Sequence, residues 1–310
     1  MQLLVQAHYQ TTPDDLMRLL DAPDIKLLLA TQGDAVVGAT VINAEGGKPL
    51  EAVSAGIACG ARRVKGHLSA QRIALMLSDP EAATARYWRI NRIAVVPEQQ
   101  NNGYGSQMLA KITNDAILNN VDAVTSSFGY TETLGRFWQT NGMHVIQHGI
   151  KKDKASGHAS ALVFFAISQR AKKFKPLMHA IKSEEDSALG SASTSSDNTP
   201  YAKEIAFRLP SLHITKLQQF VAGTRDTVQC LGSLRWLAGI IHNRPPLKKD
   251  SHAFQSEYLL LEYLHNHPFD AAALQRRGAL SSKSKVKHTL QSEVRRALTI
   301  REVLSLRSDK

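Results

Sequence analysis

Apolar positions recur along this chain at two periods, and the switches between them mark its elements. Thr12 and Pro13 followed by Leu16, Leu19 and Leu20 have the cap, the preset φ and the stripe of a helix. Ile25–Ala30 and Ala35–Ile42 are apolar runs separated by Gly33-Asp34, which predicts a hairpin. Leu68, Ile73, Ala74 and Leu77 fall at helical spacing behind a basic loop, residues 62–67. The apolar run from Ile90 to Val96 predicts a strand stopped by Pro97, and Met108, Leu109, Ile112 and Ala116 then resume at helical spacing. Strands are expected near Ala123–Phe128, Met143–Gly149 and Ser160–Ala166, with a short helix over Leu134–Thr140. Residues 1–168 thus predict an α/β domain built on a mixed central sheet with helices on both faces.

The pattern then changes. Gly, Ser, Thr, Asp and Asn dominate Ser183–Pro200 without an apolar period, so residues 169–202 are expected to be a flexible linker. From residue 203 to 310 the apolar period is helical, at Leu212, Leu217, Phe220 and Val221 and again at Val228, Leu231, Leu234 and Leu237. A mainly helical second domain is expected there.

Charge separates the two halves further. Residues 1–168 carry 15 Lys and Arg against 14 Asp and Glu, whereas residues 169–310 carry 23 against 13. A basic excess confined to one domain is the footprint of a polyanion partner, although a merely solvated surface has the same composition. No apolar run approaches a membrane span, and the longest, Ala161–Ile167, is strand-length. The start has no basic region ahead of an apolar one, so no secretory signal and no membrane partner are expected. Cys59 and Cys230 are far apart, which excludes a disulfide framework or a cysteine zinc site and fits a cytoplasmic protein. His265 and His267 read as loop residues without further ligands, and no metal is expected.

Chemistry concentrates at the strand-to-helix corner. The first turn of a helix has unpaired N–H groups and a partial positive charge, and glycine lets a ligand approach the backbone. Gly103 and Gly105 therefore suit a phosphate group. The standard nucleotide fingerprints are absent: Gly46-Gly47-Lys48 lacks the first glycine and the hydroxyl of a Walker loop, and no GxGxxG is present.

Gln100, Gly103 and Gly105 form Gln-x-x-Gly-x-Gly behind a strand ending in Val-Pro. This resembles the acetyl-CoA pyrophosphate motif of the GNAT acetyltransferase superfamily. Phe137-Trp138 followed by Gly142-Met143 resembles its downstream aromatic helix, with Trp138 where a tyrosine acid usually stands. Ala7–Pro13, Leu20–Pro23, Ala70-Gln71, Arg92–Val95 and Ser127–Thr131 through Arg136–Gln139 together resemble the bacterial tRNA(Met) cytidine acetyltransferase family. The resemblance covers residues 3–168 and continues more loosely through 203–310, which is similar to that family's tRNA-binding region. It implies a GNAT fold and acetyl transfer from acetyl-CoA to the exocyclic amine of the wobble cytidine of elongator tRNA(Met). Family members carry an ATP-driven helicase module ahead of this domain. With no Walker motif here, the chain reads as the C-terminal portion of such a protein. No ATP site is carried over, and a separate helicase module is a candidate partner.

By the same resemblance, Ile93, Ala94 and Val95 would bind the pantetheine arm through their backbone, and a backbone N–H there would polarise the thioester. Gln100, Asn101, Asn102, Gly103, Tyr104, Gly105 and Ser106 would hold the pyrophosphate. Two charged contacts of the family are replaced by Thr133 and Thr140, with Glu132 one position away. A cytidine amine is already neutral, so a base is needed only as the tetrahedral intermediate loses its proton; Tyr130 and His8 are the candidates, with His67 a third by type. Arg62, Arg63, Lys65, Arg276, Arg277, Lys283, Lys285 and Lys287 are the candidate RNA contacts, and Arg72 joins them by charge. The alternatives are a GNAT enzyme acting on protein or small-molecule amines and a non-catalytic chain that binds tRNA or acetyl-CoA.

Overall fold

The computed structural model describes residues 22–153, 157–190, 202–243, 257–300 and 303. Its elements in chain order are β1 (Ile25–Gln32), β2 (Ala35–Gly46), α1 (Ser54–Cys59), α2 (Leu68–Leu77), α3 (Pro80–Thr84), β3 (Arg86–Val95), α4 (Tyr104–Leu118), β4 (Ala123–Gly129), α5 (Glu132–Thr140), β5 (His144–Lys152) and β6 (Ala159–Ala166). There follow α6 (Gln169–Ala188), α7 (Ala202–Val221), α8 (Leu231–His242), α9 (Leu259–Asn266), α10 (Ala271–Arg277) and α11 (Lys283–Ala297). The chain divides into two compact units. One holds residues 1–54, 64–74 and 80–175, the other 55–63, 75–79 and 176–310. The helix expected after Thr12 lies outside the described residues.

The first unit is a six-stranded sheet in the order β1-β2-β3-β4-β6-β5. All neighbours are antiparallel except β3 and β4, which are parallel. The hairpin forms where the sequence predicts it, with Gly33 at φ +58° supplying the tight turn. Ile42, Trp88, Ile90, Val124 and Val163 meet Leu109, Ile112 and Ala116 of α4 in one core. Alternation in the strands and 3.6-residue spacing in the helix place these residues on facing surfaces.

Two irregularities shape the middle of this sheet. Val41 pairs with Arg92 and Ile42 with Ile90, leaving Asn91 as an extra residue in β3. That is a β-bulge, which re-aims the side chains beyond it. The parallel pairing also stops early: Tyr87–Ile90 pair with Ala123–Ser126, and no pairing is recorded beyond. At the last rung the Ser126 hydroxyl donates to Ile90 O at 2.9 Å. From Arg92 to Val95, β3 pairs with β2 and has no strand partner toward β4 among the described residues.

The linker expected over residues 169–202 is corrected in its first part, because Gln169–Ala188 is a helix. Its buried residues, Ala171, Phe174, Met178 and Ile181, recur at helical spacing, and the many lysines and polar residues between them mask that stripe in the sequence. Residues 191–201 lie outside the described residues. His265 is likewise corrected from loop to helix: it sits in α9, whose buried stripe is Leu260, Leu261 and Leu264, while His267 caps its end.

The second unit is helical, and Leu217, Phe220, Leu234, Leu237, Leu264, Leu290 and Val294 share its core. No helix among the described residues is long and apolar enough to cross a membrane. Two buried charges in this unit have structural partners. Arg225 is 1% exposed; its Nη2 donates to Ala58 O at 2.9 Å, Leu75 O at 2.7 Å and Ser78 Oγ at 2.8 Å, and its Nε donates to Gln219 Oε1. Glu293 accepts from the N–H groups of Leu260 at 3.2 Å and Leu261 at 2.9 Å, at the start of α9.

Burial pushes the Glu293 carboxyl up from 4.5 to about 7, against the pull of those two N–H groups and Arg296. The folded protein thus holds this proton more tightly than the unfolded chain does. The resulting stability is fully present below pH 4.5 and is lost as pH rises through about 7. Chemical denaturation at pH 5 and pH 7.5 should show a fall on the order of 2–3 kcal/mol from this group. Glu293→Gln should remove that part of the pH dependence.

Candidate functional site

The end of β3 beyond its pairing with β4 lines a cavity of about 570 Å³ with Ile93, Ala94 and Val95. Its other walls are Gln100, Asn101, Gly103, Tyr104, Gly105 and Ser106, with Pro97, Gln99, Leu134 and Phe137. The strand edge and the glycine corner expected to bind one ligand therefore share one cavity. Asn102 is the exception among the corner residues; its side chain donates to Gln99 Oε1 at 3.1 Å.

Backbone geometry explains the corner. Asn101 and Gly103 have positive φ, +63° and +83°, and their turns bring the chain from the sheet edge into α4. The Gln100 side chain ties the loop to the strand by donating to Val95 O at 3.1 Å. Gly103 is the N-cap of α4 and supplies no side-chain acceptor for the first-turn N–H groups. The positive end of a 15-residue helix thus opens beside the cavity without an acidic residue in its first turn. A Cβ on Gly105 would lie 3.1 Å from Phe137 Cε2, so this glycine is needed for space rather than for φ.

The floor beneath Phe137 is aromatic. Phe137 meets Trp138 edge-on at 5.3 Å, and Trp138 stacks on Phe128 at 5.6 Å. Trp138 is 2% exposed, which removes its side chain from any role in proton transfer at the surface. Leu134 and Phe137 were not singled out as site residues from the sequence. The signal was present, since both lie in α5 with the Phe-Trp pair.

The other expected residues are placed as follows. Tyr130 follows β4, packs its ring against Gly135 and meets His148 edge-on at 5.1 Å. Tyr130, Ile93 and Phe137 all flank the core of the first unit. His8 lies outside the described residues. His67 Nδ1 accepts from the Gly46 N–H at 3.0 Å, a structural bond that holds its ring. Thr140 Oγ1 bonds back to Arg136 O at 3.0 Å, and Glu132 pairs with Arg136 along α5. Arg72 is engaged within the sheet unit, where its Nε donates to Gln147 Oε1 at 2.9 Å. Arg62, Arg63 and Lys65 are exposed. Arg276 and Arg277 end α10, and Lys283, Lys285 and Lys287 lie in the first turns of α11, with Gly278–Ser282 between the two helices. Lys287 is half-buried and pairs with Asp226 at 3.2 Å.

A family model described as GNAT acetyltransferase 2 matches residues 1–116. A tRNA(Met) cytidine acetyltransferase from Salmonella typhimurium is 40% identical over 178 residues, which is 57% of this chain and 26% of that protein. The first unit carries a GNAT acetyltransferase fold. Proteins of the same name from Vibrio cholerae (41% identical over 52% of this chain and 22% of that protein) and Actinobacillus pleuropneumoniae (35% over 70% and 35%) are also similar. The chain spans between 22% and 35% of the length of these three relatives. Among solved structures, the ribosomal-protein-S18-alanine N-acetyltransferase from Escherichia coli is 10% identical with a TM-score of 0.36, over 54% of this chain and 85% of that one. In the GNAT unit, the parted strands and the glycine corner are the features that a long phosphorylated thioester requires. One is a free backbone edge for an amide-bearing arm, the other a set of N–H groups for an anion.

Proposed function

We propose that this chain transfers acetyl from acetyl-CoA to the exocyclic amine of a cytidine in tRNA, with the wobble cytidine of elongator tRNA(Met) as its target. The observation that carries the reading is the single cavity joining the unpaired edge of β3 to the uncapped start of α4. The similarity to named tRNA(Met) cytidine acetyltransferases supports the acceptor. Acetyl-CoA supplies the activated acyl group. N–H groups of the Gln100–Ser106 loop hold its pyrophosphate, and the backbone of Ile93–Val95 holds its amide arm and polarises the thioester carbonyl.

A neutral aromatic amine is a weak nucleophile, so these residues act chiefly by positioning. Tyr130 is the remaining described candidate for accepting the proton, and His8 stays a candidate from the sequence. RNA affinity comes from Arg62, Arg63, Lys65, Arg276, Arg277, Lys283, Lys285 and Lys287. Lysines at the start of α11 face the positive end of their own helix, an arrangement that a bound phosphate relieves.

The test is transfer from radiolabelled acetyl-CoA to total bacterial tRNA, followed by nucleoside analysis. Label is expected in acetylcytidine from one tRNA. Label in protein or small amines only, with tRNA unmodified, would overturn the RNA acceptor and favour another GNAT substrate.

A further inference from the structure

One side chain fixes the loop that leads into α2. Gln71, early in that helix, reaches back to it. Its Oε1 accepts from the Val64 N–H at 2.7 Å, and its Nε2 donates to Val64 O and Gly66 O at 2.8 Å and to His67 O at 3.2 Å. The loop needs such a clamp, because Gly66 and His67 both have positive φ, +77° and +49°. A left-handed histidine is unfavourable by itself and persists where its surroundings over-determine it. Here Gln71 holds its carbonyl, and the Gly46 N–H donates to its Nδ1.

Two places beside the loop do not suit an anion. The start of α2 is filled by the buried Glu45, which accepts from the N–H groups of Ser69 at 2.7 Å and Ala70 at 3.4 Å and pairs with Arg89. On the sheet face turned away from Trp88 and Ile90, Lys65 joins Asp24, Asn43, Glu45, Arg89 and Arg92 around a second cavity, of about 160 Å³. The bulge at Asn91 lets both arginines line it, although simple alternation would send them to opposite faces. That wall carries both signs of charge and does not select an anion. The solvent side of the loop does: Lys65 and Gly66 are exposed, and Arg62 and Arg63 precede them in the chain. No atom lies within 4 Å of the position that a Cβ on Gly66 would take, so the backbone there is open to a phosphate.

We infer that Gln71 is a positioning residue for RNA: it fixes the Val64–His67 loop so that Lys65 and the Gly66 backbone meet a phosphate of the acceptor. The inference rests on the RNA acetyl transfer proposed above. The loop holds backbone rather than base, so it fixes where the RNA lies without reading its sequence. A loop ordered in advance loses little freedom on binding. The amide suits this task because it accepts one N–H and donates to three carbonyls. Leucine or methionine would fill its space and release the loop without changing the charge.

The experiment is a double-mutant cycle on tRNA binding. Total bacterial tRNA is titrated against the full chain over a series of salt concentrations, for the parent, Gln71→Leu, Lys65→Ala and the double variant. Acetyl-CoA affinity is measured on the same proteins by calorimetry. Lys65→Ala is expected to weaken tRNA binding about fivefold and to lower the salt slope by about 1. Gln71→Leu should do nearly the same although it removes no charge. Adding Lys65→Ala to it should weaken binding by less than about twofold more. Acetyl-CoA affinity should stay within about twofold throughout. Gln71→Met serves as the second variant if leucine prevents folding, with the same loss expected. Fully additive losses, or an unchanged salt slope in folded Gln71→Leu, would overturn the positioning role and leave the RNA reading standing. So would a Lys65→Ala protein that binds tRNA like the parent. No tRNA binding by the parent, with acetyl-CoA still bound, would remove the RNA reading and this inference with it.

Discussion

Gly105→Val is expected to weaken acetyl-CoA binding at least about a hundredfold, a loss of roughly 2.7 kcal/mol. Gly105 lies in the first turn of α4, on the wall of the cavity that the end of β3 lines. Its missing Cβ would sit 3.1 Å from Cε2 and 3.3 Å from Cζ of Phe137. Phe137 has little room to give, because Trp138 behind it is buried and stacked on Phe128. Two further methyl groups would therefore project into the cavity over the first-turn N–H groups. The backbone at this position is helical, so valine meets no φ strain, while crowding against Phe137 lowers Tm without unfolding the protein at about 25 °C. Calorimetry with acetyl-CoA at that temperature, beside a cooperative thermal melt, checks both halves. An affinity within threefold of the parent would show that this corner does not hold the nucleotide. Gly103 differs in kind: with φ at +83°, any L-residue there strains the loop before its side chain meets a ligand.

Arg225→Met should destabilise the second unit by about 3–5 kcal/mol. The guanidinium joins Ala58 O, Leu75 O, Ser78 Oγ and Gln219 Oε1, all within that unit. Methionine fills much of the space but leaves those acceptors buried without donors. Arg225→Lys should rescue little, since one ammonium cannot reproduce the planar fork. Urea unfolding of the three proteins checks the order, and a lysine variant as stable as the parent would show that charge alone suffices.

How much of this was legible in the sequence depended on whether one local pattern dominated. The hairpin, α2, α4 and the strands of the first unit stood out because alternation or helical spacing ran unbroken between turn residues. The glycine corner was legible from its motif, and the structure places nearly all of it around one cavity. The helix over Gln169–Ala188 was not, because its sparse buried stripe lies among lysines and other polar residues. The bulge left no mark, since Asn91 is neither glycine nor flanked by one. Asn43 and Glu45 were hidden in an apolar run, where a buried polar residue looks like an interruption until its neighbours in space are known. Arg225 sits in a loop between helices, and three of its four partners come from two distant parts of the chain, near residues 58 and 75–78. His8 falls in a segment outside the described residues, and the Tyr130 ring packs against Gly135 and His148 rather than lining the cavity at the end of β3.

The extra residue in β3 sets a parity. Before Asn91, even-numbered side chains face the core; after it, Ile93 takes that place. One strand can thereby serve a cavity on each side within consecutive positions. Any insertion or deletion of a single residue in this stretch exchanges the two sides at once, whereas a point substitution alters one side alone. Length, more than composition, is therefore the strictly constrained property of this segment.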